Sequence, residues 1–165
     1  KDRHSFATSH VTTVGPNVYL RCSATECIGD LGPHVKWSSG VLYDNVKLDK
    51  QYLAVQDRHD GGGDSNHGWA GVNFVLWNCE APTNTSGGII CQNPWVTGKN
   101  YSVGCIGRKV AHNRTGAGID RPEGEYYSHG TKVTSGTHFG FEITSESLYE
   151  SQLAARHSAG IYIAK

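Results

Sequence analysis

Histidine, cationic and tryptophan side chains recur in four polar segments that lie between the apolar runs of the chain. An imidazole can accept a proton near neutral pH, a lysine or arginine can bind a carboxylate, and an indole can stack on the apolar face of a ring. This combination predicts a site for an acidic ligand from which a proton is removed. The four segments contain Arg3-His4, His34 with Lys36 and Trp37, Asp57-Arg58-His59, and His67 with Trp69.

The predicted roles divide these residues into two sets. The predicted catalytic residues, which would bind a carboxylate or take the proton, are Lys36, Arg58, His34 and His67. The predicted substrate-binding residues, which would contact the rest of the ligand, are Trp37, Trp69, Arg3, His4 and His59.

Structural roles for the same residues stay open. A histidine in a glycine-rich loop can simply bond turn carbonyls, and Trp69 can serve as a packing anchor. Arg58 can pair with Asp57 or Asp60, and such a pair would contribute almost nothing to function.

A calcium site is the second chemical interpretation of this region. Carboxylate and amide oxygens suit Ca²⁺, but their spacing lacks the EF-hand pattern, so we predict no cofactor and keep Ca²⁺ as the lesser alternative. The absence of a GxSxG elbow and of a phosphate-binding loop argues against a serine hydrolase and a nucleotide-binding protein. The oxygen donors are Asp57, Asp60, Asp64 and Asn66.

Length and charge bound the class of protein. A chain of 165 residues suits one hydrophobic core, so residues 1–165 are predicted to form a single domain. Lys plus Arg equals Asp plus Glu at 15 each, so no net field favours nucleic acid or a membrane surface as a partner. No apolar run approaches the roughly 20 residues that a membrane helix needs. Methionine is absent, and we interpret the chain as a processed piece of a longer protein.

Twenty-one glycines and short apolar runs predict an all-β fold with many turns. In the first predicted strand, Val18, Leu20 and Cys22 are expected to face the core. The segment 81–99 is expected to be a connection, and Ser147 with Glu150 predicts the start of a helix that Gly160 ends. The predicted strands cover 17–24, 40–47, 53–57, 72–77 and 101–106.

A weak repeat of uneven length runs through these strands. The strings VYLRCSA, VLYDNVK, VLWNCEA and YSVGCIG place Cys22, Asn45, Cys79 and Cys105 at matching positions. Irregular repeats of one strand each favour a solenoid, in which like residues stack in ladders. An antiparallel β-sandwich is the competing architecture.

Several strings then occur in one order along residues 2–156: DRHSF, GPNVYLRC, GPHVKWSSGVLYDNV, NHGWAGVNFVLWNCEA and SLYESQLAAR. In this order they resemble a group of secreted right-handed parallel β-helix proteins of the pectate-lyase superfold. The resemblance implies a right-handed parallel β-helix with a short C-terminal helix. It also implies a carbohydrate-active protein that acts on an acidic polysaccharide by lyase or hydrolase chemistry.

The resemblance covers only the C-terminal portion of the related chains. Missing upstream strands would leave an open strand edge near Lys1, which either a second copy or an upstream fragment of the same precursor is expected to cover. The alternative function is that of a non-enzymatic extracellular structural glycoprotein, which self-associates through such open ends.

The resemblance further marks Cys22, Cys79 and Cys105 as small buried residues and implies a disulfide between Cys27 and Cys91. Sequence proximity alone favours another pairing, Cys22 with Cys27 and Cys79 with Cys91, and both stay open. Three glycosylation sequons favour a secreted, extracellular protein. They begin at Asn84, Asn100 and Asn113.

Overall fold

The computed structural model describes residues 4–58, 67–94, 98–111, 124–128, 131–132, 138–139 and 146–161. Within these ranges the chain is mainly β, with one short C-terminal helix. The strands are β1 (Asn17–Leu20), β2 (Ser23–Ala24), β3 (Ser38–Asp44), β4 (Lys47–Leu48), β5 (Gln51–Val55), β6 (Gly71–Trp77), β7 (Gly87–Cys91), β8 (Tyr101–Val103), β9 (Gly107–Arg108), β10 (Glu125–Ser128), β11 (Thr131–Lys132) and β12 (His138–Phe139), and the helix is α1 (Leu148–Ser158). Arg3, His59 and Asn113 lie outside the described residues.

The described strands form three largely parallel sheets and one antiparallel pair, β9 with β12. The first sheet contains β1, β3, β6, β8 and β10 as parallel neighbours, with β11 antiparallel to β10. The second joins β2 to β4 and continues through single bridges from β4 to Glu80 and from Glu80 to Ile106. The third joins β5 to β7. Single bridges extend it from Leu31 to β5 and from β7 to Lys109. Next to Lys109, β9 pairs with β12 in an antiparallel manner. This pairing confirms the predicted β class and is not that of an antiparallel sandwich.

The chain passes through the three sheets in the same order several times, and we call each pass a tier. Tier 1 spans 17–31, tier 2 spans 38–55, tier 3 spans 71–91 and tier 4 spans 101–109. Side chains at matching positions of successive tiers therefore lie one strand spacing apart, about 4.8 Å.

Aromatic side chains stack through the core along the first sheet. Tyr19 pairs with Tyr43 across β1 and β3, with ring centroids 5.0 Å apart, and Phe74 lies 6.2 Å from Tyr43. The predicted inward face of β1 was wrong, because Tyr19 packs on the core while Val18 is 37% exposed. The Tyr19 hydroxyl reaches the Ala7 carbonyl oxygen at 3.3 Å, so an inward tyrosine here keeps its polar end bonded.

Strand β7 was missed by the sequence analysis, which predicted a connection over 81–99. All of β7 is buried, and the strand pairs in parallel with β5. A Cβ atom on Gly87 would collide with the Gln51 carbonyl oxygen. The two glycines that suggested a loop therefore mark a close approach between neighbouring backbones.

A column of left-handed residues turns the chain out of the first sheet in every tier. Arg21, Asn45, Asn78 and Gly104 occupy this corner, with φ values of 50°, 58°, 48° and 65°. Asparagine and glycine tolerate this conformation better than most residues, which explains their recurrence.

The cysteine ladder begins one residue after this corner. The backbone hydrogen bonds align Cys22 with Val46, and then with Cys79 and Cys105, so the predicted membership of Asn45 in this ladder was wrong by one position. Burial raises the pKa of the Cys79 thiol well above its usual value.

The implied disulfide between Cys27 and Cys91 is not formed, and no disulfide joins any of the five cysteines, all of which are described. Cys27 lies in tier 1 and Cys91 in tier 3, so a whole tier separates them. Two strand spacings come to about 9.6 Å. Disulfides usually join Cα atoms about 4.4–6.8 Å apart, which is well short of that separation.

Helix α1 begins as predicted at Ser147, whose hydroxyl oxygen accepts the Glu150 N–H at 3.2 Å. The buried Asp44 carboxylate accepts the Ser147 hydroxyl and the Tyr149 N–H, both at 2.8 Å. The Glu150 carboxylate receives two hydrogen bonds from Arg21. No residue of α1 is buried, so these contacts at its first turn fasten the helix to the sheet. No helix in the described ranges is long and apolar enough to cross a membrane.

Candidate functional site

Three histidines form a column at the start of the first sheet. The ring centroids of His4 and His34 are 4.0 Å apart, and those of His34 and His67 are 4.8 Å apart with nearly perpendicular planes. The sequence analysis placed all three among the site residues, and the structure brings them together. Each histidine follows the previous one by the length of a single tier and its connecting loop, which is why the three rings stack.

Backbone hydrogen bonds between the loops hold this column in place. The Lys36 N–H donates to the His67 carbonyl oxygen at 3.1 Å, and the Trp37 N–H donates to that of Trp69 at 3.0 Å. On the other side, the His34 N–H donates to the Thr8 carbonyl oxygen at 2.9 Å, which ties the segment carrying His4 to the loop before β3. The loops before β3 and β6 are therefore extensions of the parallel stack.

A buried ion pair between Arg58 and Asp30 lies next to the histidine column. The Arg58 guanidinium donates to both oxygens of Asp30, at 2.5 and 3.0 Å, and Gln56 donates to the same carboxylate at 3.3 Å. Nδ1 of His4 lies 3.6 Å from that carboxylate. Asp30 therefore joins the histidine column to the core.

The predicted role of Arg58 as a clamp for a ligand carboxylate is not supported by this geometry. Arg58 is only 2% exposed, and Asp30 already occupies its fork of donors. The structural alternative was right in kind, although the partner is Asp30 instead of Asp57 or Asp60. That partner comes from the preceding tier.

The surroundings of His34 favour its neutral form. Burial lowers the pKa of His34 to about 4, and the Arg58 guanidinium and the other two histidines act in the same direction. In the described part of the chain, Nδ1 of His34 and Nδ1 of His67 are buried and have no hydrogen-bond partner. A neutral imidazole keeps one acceptor nitrogen, and the half-buried rings of His34 and His67 can use it towards a group that reaches their exposed side.

The two tryptophans differ in what they offer to a ligand. Trp69 donates its indole N–H to the Gly71 carbonyl oxygen at 2.8 Å, so its ring orientation is fixed by the sheet. Trp37 is 38% exposed, and the adjacent Lys36 is exposed as well. Lys36 and Trp37 are therefore the accessible cation and ring beside the histidine column.

The described carboxylates at this edge are not exposed. Asp30 and Asp57 are both buried, and Asp60, Asp64 and Asn66 lie outside the described residues. Within the described ranges, no group of three or more His, Cys, Asp or Glu side chains is arranged to hold a metal ion.

The predicted glycosylation sites have different surroundings. Asn84 is exposed in a turn, where its side-chain oxygen accepts the Ser86 N–H at 2.9 Å. Asn100 is fully buried, and its amide donates to the carbonyl oxygens of Gly71 and Gln92. The folded chain has no room for a glycan on Asn100, so that prediction was wrong.

Asp30 and Gln56 belong to the site but were missed from the sequence. A single aspartate shortly before His34 has no spacing signature of its own. The tier length could have revealed it. Asp30 precedes Arg58 by a single tier and its connecting loop, and His34 precedes His67 in the same way.

Comparison of the chain with protein-family models, with curated proteins and with solved structures found no match in any of the three.

We expect stability to fall in mild acid because of His34. The pKa of an unfolded histidine is about 6.5, whereas folding lowers the pKa of His34 to about 4. The unfolded chain therefore binds more protons between these values, so the contribution of His34 is present above pH about 6.5 and is lost as the pH falls towards 4. Urea unfolding of the wild type and of His34→Gln at several pH values would measure this. The variant should lose less stability on acidification.

The exposed His157→Gln provides the control, because it removes an imidazole that is outside the column. Its loss of stability on acidification should exceed that of His34→Gln. Equal slopes for His34→Gln and the wild type would contradict the assignment.

Proposed function

We propose that the protein is a secreted right-handed parallel β-helix of the pectate-lyase type that binds an acidic polysaccharide and cleaves it by β-elimination. The observation that carries this proposal is the pair of half-buried imidazoles His34 and His67, whose rings are in contact and lie beside the exposed Lys36 and Trp37. Three parallel sheets visited in a constant order are compatible with the fold. The exposed sequon at Asn84 is compatible with secretion.

The chemistry of β-elimination suits these side chains. A base removes the proton next to the sugar carboxylate, the adjacent glycosidic C–O bond breaks, and the leaving oxygen takes a proton from water. We assign His67 as the base, because a pKa of about 4 makes His34 a weak one. His34 then accepts a hydrogen bond from the substrate, Lys36 binds the carboxylate, and Trp37 supports a sugar face.

Lyase chemistry fits this edge better than hydrolysis. Glycoside hydrolases usually place two carboxyl groups on either side of the bond that breaks. Of the carboxylates that the structure describes at this edge, Asp30 and Asp57 are buried, and Asp30 is engaged by Arg58. Proton removal by an imidazole requires neither carboxylate.

Polyuronates offered to the purified chain should yield an unsaturated sugar, which absorbs in the ultraviolet. His67→Ala should lower the rate about 10²–10⁴-fold, as expected for loss of a general base. Lys36→Ala should mainly raise KM, because it removes a carboxylate contact. Lys47→Ala, which removes an exposed cation on the second sheet, is the matched control and should leave the rate unchanged.

Self-association as a structural protein is the second candidate. Val11, Val14, Val18 and Ile28 are large apolar residues that are exposed in or near tier 1. The core at this end is partly covered by Phe6, whose ring lies 5.6 Å from that of Tyr19. If no glycan in a panel of acidic and neutral polymers gives product and the protein sediments as a polymer, the structural role replaces the enzymatic one.

A further inference from the structure

A groove of about 390 Å³ lies between helix α1 and the outer face of the first sheet, apart from the histidine column. Val18, Leu42 and Val75 line it from three successive strands of the sheet, and Leu148 and Leu153 line it from the helix. Small-molecule sites in proteins usually have volumes of about 300–1,000 Å³, so the groove has room for one small ligand.

The way in which α1 is fastened explains why this groove is open. The Asp44 carboxylate binds the first turn through Ser147 and Tyr149, and no residue of the helix is buried. The apolar side chains of the helix therefore face the sheet across a gap. Val18 and Tyr149 are each 37% exposed there.

The charge of the groove lies at one end. Among the described residues that line it, Arg156 is the only charged one, and no ion pair joins its side chain to another described residue. Arg156 lies just over two helical turns beyond Leu148, which is about 12 Å along the helix axis. The groove thus offers a largely apolar channel, with Asn17, Asn73 and Gln152 among its lining residues, that ends at a cation.

We propose that this groove binds a single-chain amphiphile with a carboxylate head, with the chain between α1 and the sheet and the head on Arg156. The aliphatic walls take the methylene groups out of water, and the guanidinium forms charge-assisted hydrogen bonds with the carboxylate. This site is independent of the polysaccharide site, since it uses none of the same side chains.

Isothermal titration with hexanoate, octanoate and decanoate, each below its micelle-forming concentration, tests the chain contact. Each added methylene should strengthen binding about fourfold until the groove is full. Val75→Asp puts a carboxylate in the channel and should abolish decanoate binding, with circular dichroism used to verify that the variant folds. Affinity that does not depend on chain length, or no binding by the wild type, would overturn the proposal.

Arg156→Gln tests the head-group contact. This variant should bind decanoate at least about tenfold more weakly than the wild type, because it loses hydrogen bonds to a charged group. It should bind decanol with unchanged affinity. Lys50→Gln, which removes an exposed cation away from the groove, should leave decanoate binding unchanged. Equal affinity of the wild type and Arg156→Gln for decanoate would refute the role of Arg156.

Discussion

Replacing Arg58 with Ala should lower the free energy of unfolding by about 3–5 kcal/mol. The substitution leaves the Asp30 carboxylate buried without its cation, and the histidine column loses the group that supports it. Urea unfolding followed by circular dichroism would measure the loss. Lys47→Ala breaks an exposed ion pair with Glu80 and should change stability by less than about 1 kcal/mol.

A double variant separates the ion pair from its desolvation cost. Replacing Arg58 with Met and Asp30 with Leu removes both charges and keeps apolar volume in their place. Such replacements are often neutral or stabilising, so the double variant should be far more stable than Arg58→Ala. A loss as large as that of the single variant would show that the hydrogen bonds at this position, and not an uncompensated charge, dominate.

Replacing Phe74 with Ala should cost about 3–5 kcal/mol of stability. Phe74 is fully buried, stacks on Tyr43 and lies directly over Gly71, where a Cβ atom would collide with its ring. Removing the ring leaves a cavity that a rigid parallel stack cannot easily close. Thermal or urea unfolding measures the effect, and Phe74→Leu should lose distinctly less.

Gly71 offers a check on the same contact. Gly71→Ala alone should destabilise the fold, because its methyl group competes with the Phe74 ring for space. The double variant Gly71→Ala/Phe74→Leu should lose less stability than the sum of the two single variants, because the smaller leucine leaves room for the alanine methyl group. Strict additivity would mean that the two residues do not share this space.

Local features of the fold could be predicted from the sequence. Ser147 and Gly160 bound the helix because capping depends on neighbouring residues. The run 72–77 matches β6, in which the buried Val72, Phe74 and Leu76 alternate with more exposed residues. Features that depend on contacts between tiers were harder to predict. Gly87 was predicted to lie in a loop, because the close approach of the Gln51 backbone that requires a glycine there is not visible in the sequence.

The candidate site shows the same division. The sequence analysis recognised His4, His34 and His67 by residue type, and the length of one tier brings them into a column. The pairing of Arg58 with Asp30 could not be predicted in this way, because it depends on which charged residues face each other between tiers. Charge alone suggested the nearer Asp57 and Asp60.

The anchoring of helix α1 has a consequence for how the chain folds. The Glu146 carbonyl oxygen accepts hydrogen bonds from Asn45 and from Asn78, which belong to the corners of tiers 2 and 3 and come far earlier in the chain. Both amides converge on one atom only when those tiers are paired in the correct alignment. The position of the helix therefore depends on contacts of long sequence separation, which are available only after distant strands are correctly aligned.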